Sequence, residues 1–224
     1  LAESHYKMGL AYLNSETDYL ALAEFEKALM INDKDDRVYF AIAIFYLKKN
    51  RLLDAERYAK KAIELNSDNP YYQNLLATIF AYNNNKLDAA ISIWEKIADN
   101  PKYSSPEIIY FNIAQAYLQK KSYSDAEFYL KKAISANPRV AVPYMTLVDL
   151  YLLNNNIDDA IATLNNLMAI NPIYLPAKLK AAQLNIKKGK YDTALNLLKE
   201  IITYEPNSKE AKEAIDMIKE IGLK

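Results

Sequence analysis

Apolar and small residues return along this chain with two superimposed periods. Within short blocks they recur every three or four positions, the spacing of one helix face. Over a longer range the same block returns after 34 residues. Glu26-Lys27-Ala28-Leu29, Lys60-Lys61-Ala62-Ile63 and Lys131-Lys132-Ala133-Ile134 are copies, with a weaker one at Asn166-Leu167-Met168. Ala28 to Ala62 spans 34 residues, as do Ala133 to Leu167 and Leu167 to Ile201. Seven positions earlier lies a second small residue: Ala21, Ala55, Ala126, Ala160, Ala194. Nine before those comes a ring, Tyr12, Tyr46, Tyr117 and Tyr151, replaced by Asn185 in the last copy. Three before the ring sit Gly9, Ala43, Ala114 and Ala182, with the bulkier Val148 in the remaining copy. Each copy therefore predicts two short helices that meet where small residues let their backbones approach, with an aromatic plugging the space beside them.

Punctuation along the chain agrees. Pro138, Pro172 and Pro206 fall where the second helices of three copies must stop. Asn69-Pro70 and Ser105-Pro106 read as an N-cap followed by a first-turn proline. Lys48-Lys49, Lys120-Lys121 and Lys187-Lys188 sit at expected first-helix C-termini, where cations suit the helix dipole. The runs Asn83–Asn85 and Asn154–Asn156 read as tight turns that tolerate left-handed backbone.

This small-ring-small register resembles the tetratricopeptide repeat, and the resemblance covers nearly the whole chain. It implies an all-α fold, a right-handed α-solenoid of six helix pairs plus a C-terminal cap helix, as one domain over 1–224. The expected repeats lie near 2–35, 36–69, 70–103, 107–140, 141–174 and 175–208, and the cap at 208–224, with Ala211, Ala214, Ile215 and Ile218 as its apolar stripe. Each pair leaves an apolar face that its neighbour covers. One irregularity stands out: Ala77 is followed by Ala114 after 37 residues, three more than the period. The surplus falls in Asp99-Asn100-Pro101-Lys102-Tyr103-Ser104-Ser105, expected as a surface loop.

In this family the first helices line the usual ligand face. Counting from the packing residues predicts a partner-binding groove of Tyr6, Arg37, Phe40, Ile44, Asn74, Thr78, Tyr82, Phe111, Asn112, Gln115, Met145, Asp149 and Gln183. It is a surface of rings, aliphatics and amides with few charges. Chaperone-binding relatives clamp a peptide's terminal carboxylate with Lys and Asn from successive first helices. Here those positions hold Tyr6 and Leu10, then Phe40 and Ile44, while Asn74 and Asn112 lack basic partners. An extended or helical segment with apolar anchors fits better, its backbone bonded by the amides. Tyr71, Tyr72, Tyr82 and Tyr103, which the repeat anchors do not explain, cluster around the third repeat, as interface tyrosines would.

Composition narrows the chemistry. Lys+Arg and Asp+Glu balance at 28 each, so no net field draws the chain to nucleic acid. Three glycines argue against a phosphate-cradling loop. Without cysteine there are no disulfides or thiolate metal sites. His5 is the only histidine, so no metal cluster and no cofactor is expected. Asp35-Asp36 and Asp158-Asp159 suit helix starts better than acid–base work. Trp94 reads as the core ring of the third repeat's second helix. The expectation is a binding scaffold and not an enzyme.

A narrower resemblance rests on Gly9-Leu10-Ala11-Tyr12-Leu13-Asn14, on Leu22-Ala23-Glu24-Phe25-Glu26-Lys27-Ala28-Leu29, and on the expanded junction Ile97-Ala98-Asp99-Asn100-Pro101-Lys102-Tyr103 leading into Tyr110-Phe111-Asn112-Ile113-Ala114. In this order the features resemble the type IV pilus biogenesis/stability proteins, the PilF/PilW-type pilotins. That resemblance implies a lipoprotein on the periplasmic face of the bacterial outer membrane that helps secretin subunits assemble, with a secretin subunit as protein partner. It also implies a lipid anchor outside this fragment, which opens at Leu1 without Met and carries no acceptor cysteine. A generic adaptor, or the repeat domain of a larger enzyme or regulator, are the alternatives.

Overall fold

A computed structural model describes residues 1–15 and 17–222, with the backbone alone at Asn84. Glu16, inside the expected first repeat, and Leu223 and Lys224, at the end of the expected cap, lie outside the described residues. Among the described residues all regular structure is helical. The first three pairs are α1 (Ala2–Leu13) with α2 (Tyr19–Ile31), α3 (Asp36–Lys48) with α4 (Leu52–Leu65), and α5 (Pro70–Ala81) with α6 (Leu87–Ala98). Then come α7 (Pro106–Gln119), α8 (Tyr123–Ala136), α9 (Ala141–Leu153), α10 (Ile157–Ile170), α11 (Leu175–Lys187), α12 (Tyr191–Tyr204) and the cap α13 (Lys209–Gly222). Contacts gather into two compact units, 1–122 and 123–224.

In the first unit each helix packs on the next, and the first helices also touch in turn: α1 with α3, α3 with α5, α5 with α7. In the second unit α8 to α13 pack in sequence, and α11 also meets α13. The small-residue register does what its spacing demands. Ala21, Ala55, Ala126, Ala160 and Ala194 are fully buried, as are Ala43, Ala77, Ala114, Val148 and Ala182. The rings of Tyr46 and Tyr151 are buried, and Arg51 lies 4.8 Å above the former. Asn185, which replaces the ring in the last repeat, survives burial because its amide donates to the Ala181 carbonyl at 2.8 Å. In α13, Ala211 and Ala214 are buried and Ile218 packs on the core, whereas Ile215 points out and Met217 and Ile221 take its place.

The basic first-helix ends serve a second purpose. Lys49 pairs with Asp18 at 2.9 Å, Lys86 with Glu56 at 2.5 Å, Lys120 with Asp88 and Lys188 with Asp158. Lys49, Lys120 and Lys188 tie the end of a first helix to the previous repeat's second helix, and Lys86 ties the turn before α6 to α4. Such exposed pairs contribute at most about 1 kcal/mol each and mainly fix register.

One cap and one turn depart from expectation. Asn69 caps α5 by accepting from Tyr71 N, but Ser105 makes no such bond at α7, which leans on Pro106 at its first turn. Left-handed backbone occurs at Asn50, Lys121, Asn155 and Gly189, the same turn position of four repeats. The Asn83–Asn85 run instead forms a 3₁₀ turn, Asn84–Lys86, in which the Asn83 side chain accepts from Asn85 N. At Gly189 a Cβ would meet nothing, so strain there is purely conformational. Gly189→Ala is expected to cost about 1 kcal/mol, whereas Lys121→Gly is expected to gain up to about 1 kcal/mol by relieving the same strain. Urea melts of both variants check this, and shifts of equal sign would contradict it.

Candidate functional site

The face formed by α1, α3, α5 and α7 holds ten of the thirteen residues expected to bind a partner. At its N-terminal end they are tied to one another. The Arg37 guanidinium donates to Asp35 at 2.7 and 2.9 Å and to Glu3 at 2.9 Å, and lies 4.8 Å above the Tyr6 ring. Asp35 caps α3 by accepting from Arg37 N, and Arg37 holds its carboxyl below the usual carboxylate range against the opposing effect of burial. Burial pushes the Tyr6 hydroxyl up. Phe40 is half-buried against Tyr72, ring centroids 4.8 Å apart, and Ile44 packs on the same core. Lys48 donates to the Leu13 carbonyl at 2.6 Å. The cations on this stretch are thus engaged within the fold, which leaves no arrangement like a carboxylate clamp. His5 is engaged too, its Nδ1 lying 2.7 Å from Glu24, whose carboxyl Lys27 and His5 hold low.

The Asp35 pair has a pH signature. A carboxyl whose folded pKa is depressed contributes stability that is complete above its unfolded value, about 3.9, and is lost as pH falls through the lower folded value. Asp35→Asn keeps a capping oxygen but loses the ion pair. Its deficit against the parent is expected to be up to about 1 kcal/mol at neutral pH and to vanish in strong acid. Denaturation at both pH values measures it, and a deficit independent of pH would contradict the assignment.

Further along, the groups converge on a cleft. Thr78 and Ala81 of α5, Tyr82 just beyond it, Trp94 of α6, and Asn112, Gln115, Ala116 and Gln119 of α7 line a cavity of about 380 Å³. None of these side chains is charged. The floor is apolar, supplied by the alanines and the buried Trp94 ring. Thr78 is occupied, donating to the Asn74 carbonyl at 2.9 Å. The amides of Asn112, Gln115 and Gln119 and the hydroxyl of the largely exposed Tyr82 have no hydrogen-bond partner among the described residues. Their donors and acceptors are free for a ligand or for water. Phe111 lies half-buried on the same helix but does not line the cleft.

Asn74 is different: its amide is spent inside the protein. An indole N–H can only donate, so the Asn74 atom facing Trp94 Nε1 at 2.8 Å is the oxygen. That leaves Asn74 Nδ2 to donate to the Tyr103 hydroxyl at 3.1 Å. Tyr103, expected on a surface loop, is buried, and Tyr71 packs against it with centroids 4.8 Å apart and ring planes tilted by 36°. Tyr72 is buried as well, donating to Asp36, with burial and that carboxylate raising its pKa. Of the four tyrosines singled out around the third repeat, two thus serve packing. Trp94 at the cleft floor was legible only as a core ring.

In the second unit Met145 is half-buried on α9, Asp149 is exposed with Lys180 at 3.6 Å, and Gln183 shares a cavity of about 280 Å³ with Ile186, Met217, Glu220 and Ile221. Among the described residues no three His, Cys, Asp or Glu side chains converge as metal ligands. No helix among the described residues is long and apolar enough to cross a membrane.

Comparison with known proteins fits this geometry. Models described as tetratricopeptide repeat match residues 20–79, 117–172 and 157–218, and further models of that description match 2–35 and 81–141. Tetratricopeptide repeat protein 21A of Mus musculus is 23% identical over 241 residues, taking in 96% of this chain. The chain spans only 18% of that relative's length. Among solved structures, PilW, described as a widely conserved type IV pilus biogenesis factor, superposes with a TM-score of 0.70 at 17% identity, covering 96% of this chain and 98% of its own. PilF of Pseudomonas aeruginosa gives 0.71 at 19%, covering 95% of each. YrrB, described as a TPR protein with an unusual peptide-binding site, gives 0.56 at 19%, covering 86% and 97%. At such identities the structural likeness speaks for the fold, while the repeat models, which take in most of the chain, place it in a family: the chain belongs to the tetratricopeptide repeat family.

Proposed function

We propose that this protein is a non-catalytic scaffold that holds an extended segment of a partner protein in the cleft between α5 and α7. The observation that carries the reading is the set of unspent amides on α7, Asn112, Gln115 and Gln119, above an uncharged apolar floor. An extended backbone needs donors and acceptors along its length, and amide side chains offer both. An acidic or basic tail would leave its charge uncompensated there.

The partner we propose is a secretin subunit, in a pilotin-type role at the periplasmic face of a bacterial outer membrane, with a lipid anchor outside the present chain. Support comes from the expanded junction through Tyr103, from six pairs in this length, and from the near end-to-end match with PilW and PilF. The test is deletion of the gene in its source cell, followed by detergent extraction of the secretin. Monomeric secretin and loss of surface pili are expected. Normal multimers would remove the pilotin role and leave the scaffold reading to be tested on its own.

A further inference from the structure

The three residues that lengthen one junction beyond the 34-residue period bring Tyr103 onto the third repeat. Its ring is buried, Tyr71 covers one side, and the Tyr71 hydroxyl lies 3.1 Å from Ser104 Oγ in the same loop. Asn100 steadies the loop from below: its side chain accepts from Lys102 N at 2.9 Å and its carbonyl from Tyr103 N at 2.9 Å. The loop is therefore fastened at several points, and Tyr103 has a fixed hydroxyl to offer.

We propose that Tyr103 is a positioning residue for the cleft, acting through Asn74 on Trp94; the binding role of that cleft rests on the function proposed above. The relay is short. Tyr103 accepts from Asn74 Nδ2 and so holds the far end of the amide whose oxygen accepts from Trp94 Nε1. The indole, pinned by its one polar atom, lines the cleft. The indole N–H, which can only donate, already selects the amide's orientation; without the Tyr103 hydroxyl the amide is held at one end alone and is free to shift against the indole. Neighbouring hydrogen bonds in a chain polarise and reinforce one another, so both links weaken together. The Tyr103 hydroxyl is neutral, as a tyrosine ordinarily is at neutral pH, and burial pushes its pKa further up, so it accepts from the amide without bringing a charge.

The chain's single tryptophan makes this testable without knowing the partner. In Tyr103→Phe the ring and its packing against Tyr71 are kept and only the hydroxyl is lost. Tyr110→Phe, which loses a comparable bond to Asp99 at 3.0 Å, is the control for hydroxyl loss at the same loop. Acrylamide quenching of tryptophan fluorescence in the ligand-free protein is the readout. Tyr103→Phe is expected to raise the quenching constant about twofold, as is Asn74→Ala, while Tyr110→Phe leaves it unchanged. Parental quenching in a folded Tyr103→Phe variant overturns the proposal, as does an equal rise in Tyr110→Phe. Partner capture is measured separately. Raised quenching with unchanged capture would keep the relay and move the binding site, whereas parental quenching with reduced capture would keep the cleft and dismiss the relay.

Discussion

Gly9→Ala is expected to destabilise the first helix pair by about 1–3 kcal/mol, a large effect for one methyl group. Gly9 is buried on α1, where the second helix of the pair presses Phe25 against it. A Cβ there would fall inside contact distance of the Phe25 ring. The ring cannot move aside, being fully buried and packed on Tyr6 with centroids 6.4 Å apart. For a chain of this size the loss corresponds to a melting temperature lower by roughly 3–10 °C. Phe25→Ala attacks the same joint from the other side and is expected to cost about 3–5 kcal/mol through the cavity it leaves. The two sites touch, so their effects should not add. Gly9→Ala combined with Phe25→Leu is expected to be more stable than the sum of the single changes, because the smaller side chain makes room for the methyl. Strict additivity in thermal melts would mean that the residues are not in contact.

Gln115→Arg is expected to lower partner capture about tenfold or more while leaving circular dichroism and melting unchanged. The substitution puts a charge on the wall of a cleft that has none, where a bound segment would have to desolvate it. Gln115 has no hydrogen-bond partner among the described residues to lose, so the folded state has little reason to respond. Phe40→Ala is a poorer probe of binding. Its ring packs on Tyr72 and the first core, so truncation weakens the fold along with any contact to a partner. Capture by Gln115→Arg at the parental level would exclude the cleft.

Helix pairing was legible because it is written in size. An alanine where two backbones meet admits few substitutes, and its 34-residue recurrence survives even where Asn185 replaces the ring. Which side chains would line a cleft was legible in part: Thr78, Tyr82, Asn112 and Gln115 came from counting along first helices. Periodicity places a residue on a face but says nothing of what else reaches that face. So Asn74 counted as a groove amide, although Trp94 and Tyr103 consume both ends of it. Likewise Arg37 counted as a groove cation, although Asp35 and Glu3 hold it. The inserted junction is the plainest example. Three surplus residues read as a loop, and only the packing shows that the loop folds back to bury Tyr103.

The central claim is that the first-helix cleft holds the partner. Its most direct test is a photo-crosslinking side chain placed in turn at Gln115 and at Lys61, an exposed position on the second helix α4, in the source cell. The account predicts a crosslinked partner from position 115 and none from position 61. Crosslinking from position 61 alone would put the partner on the opposite helices and contradict it.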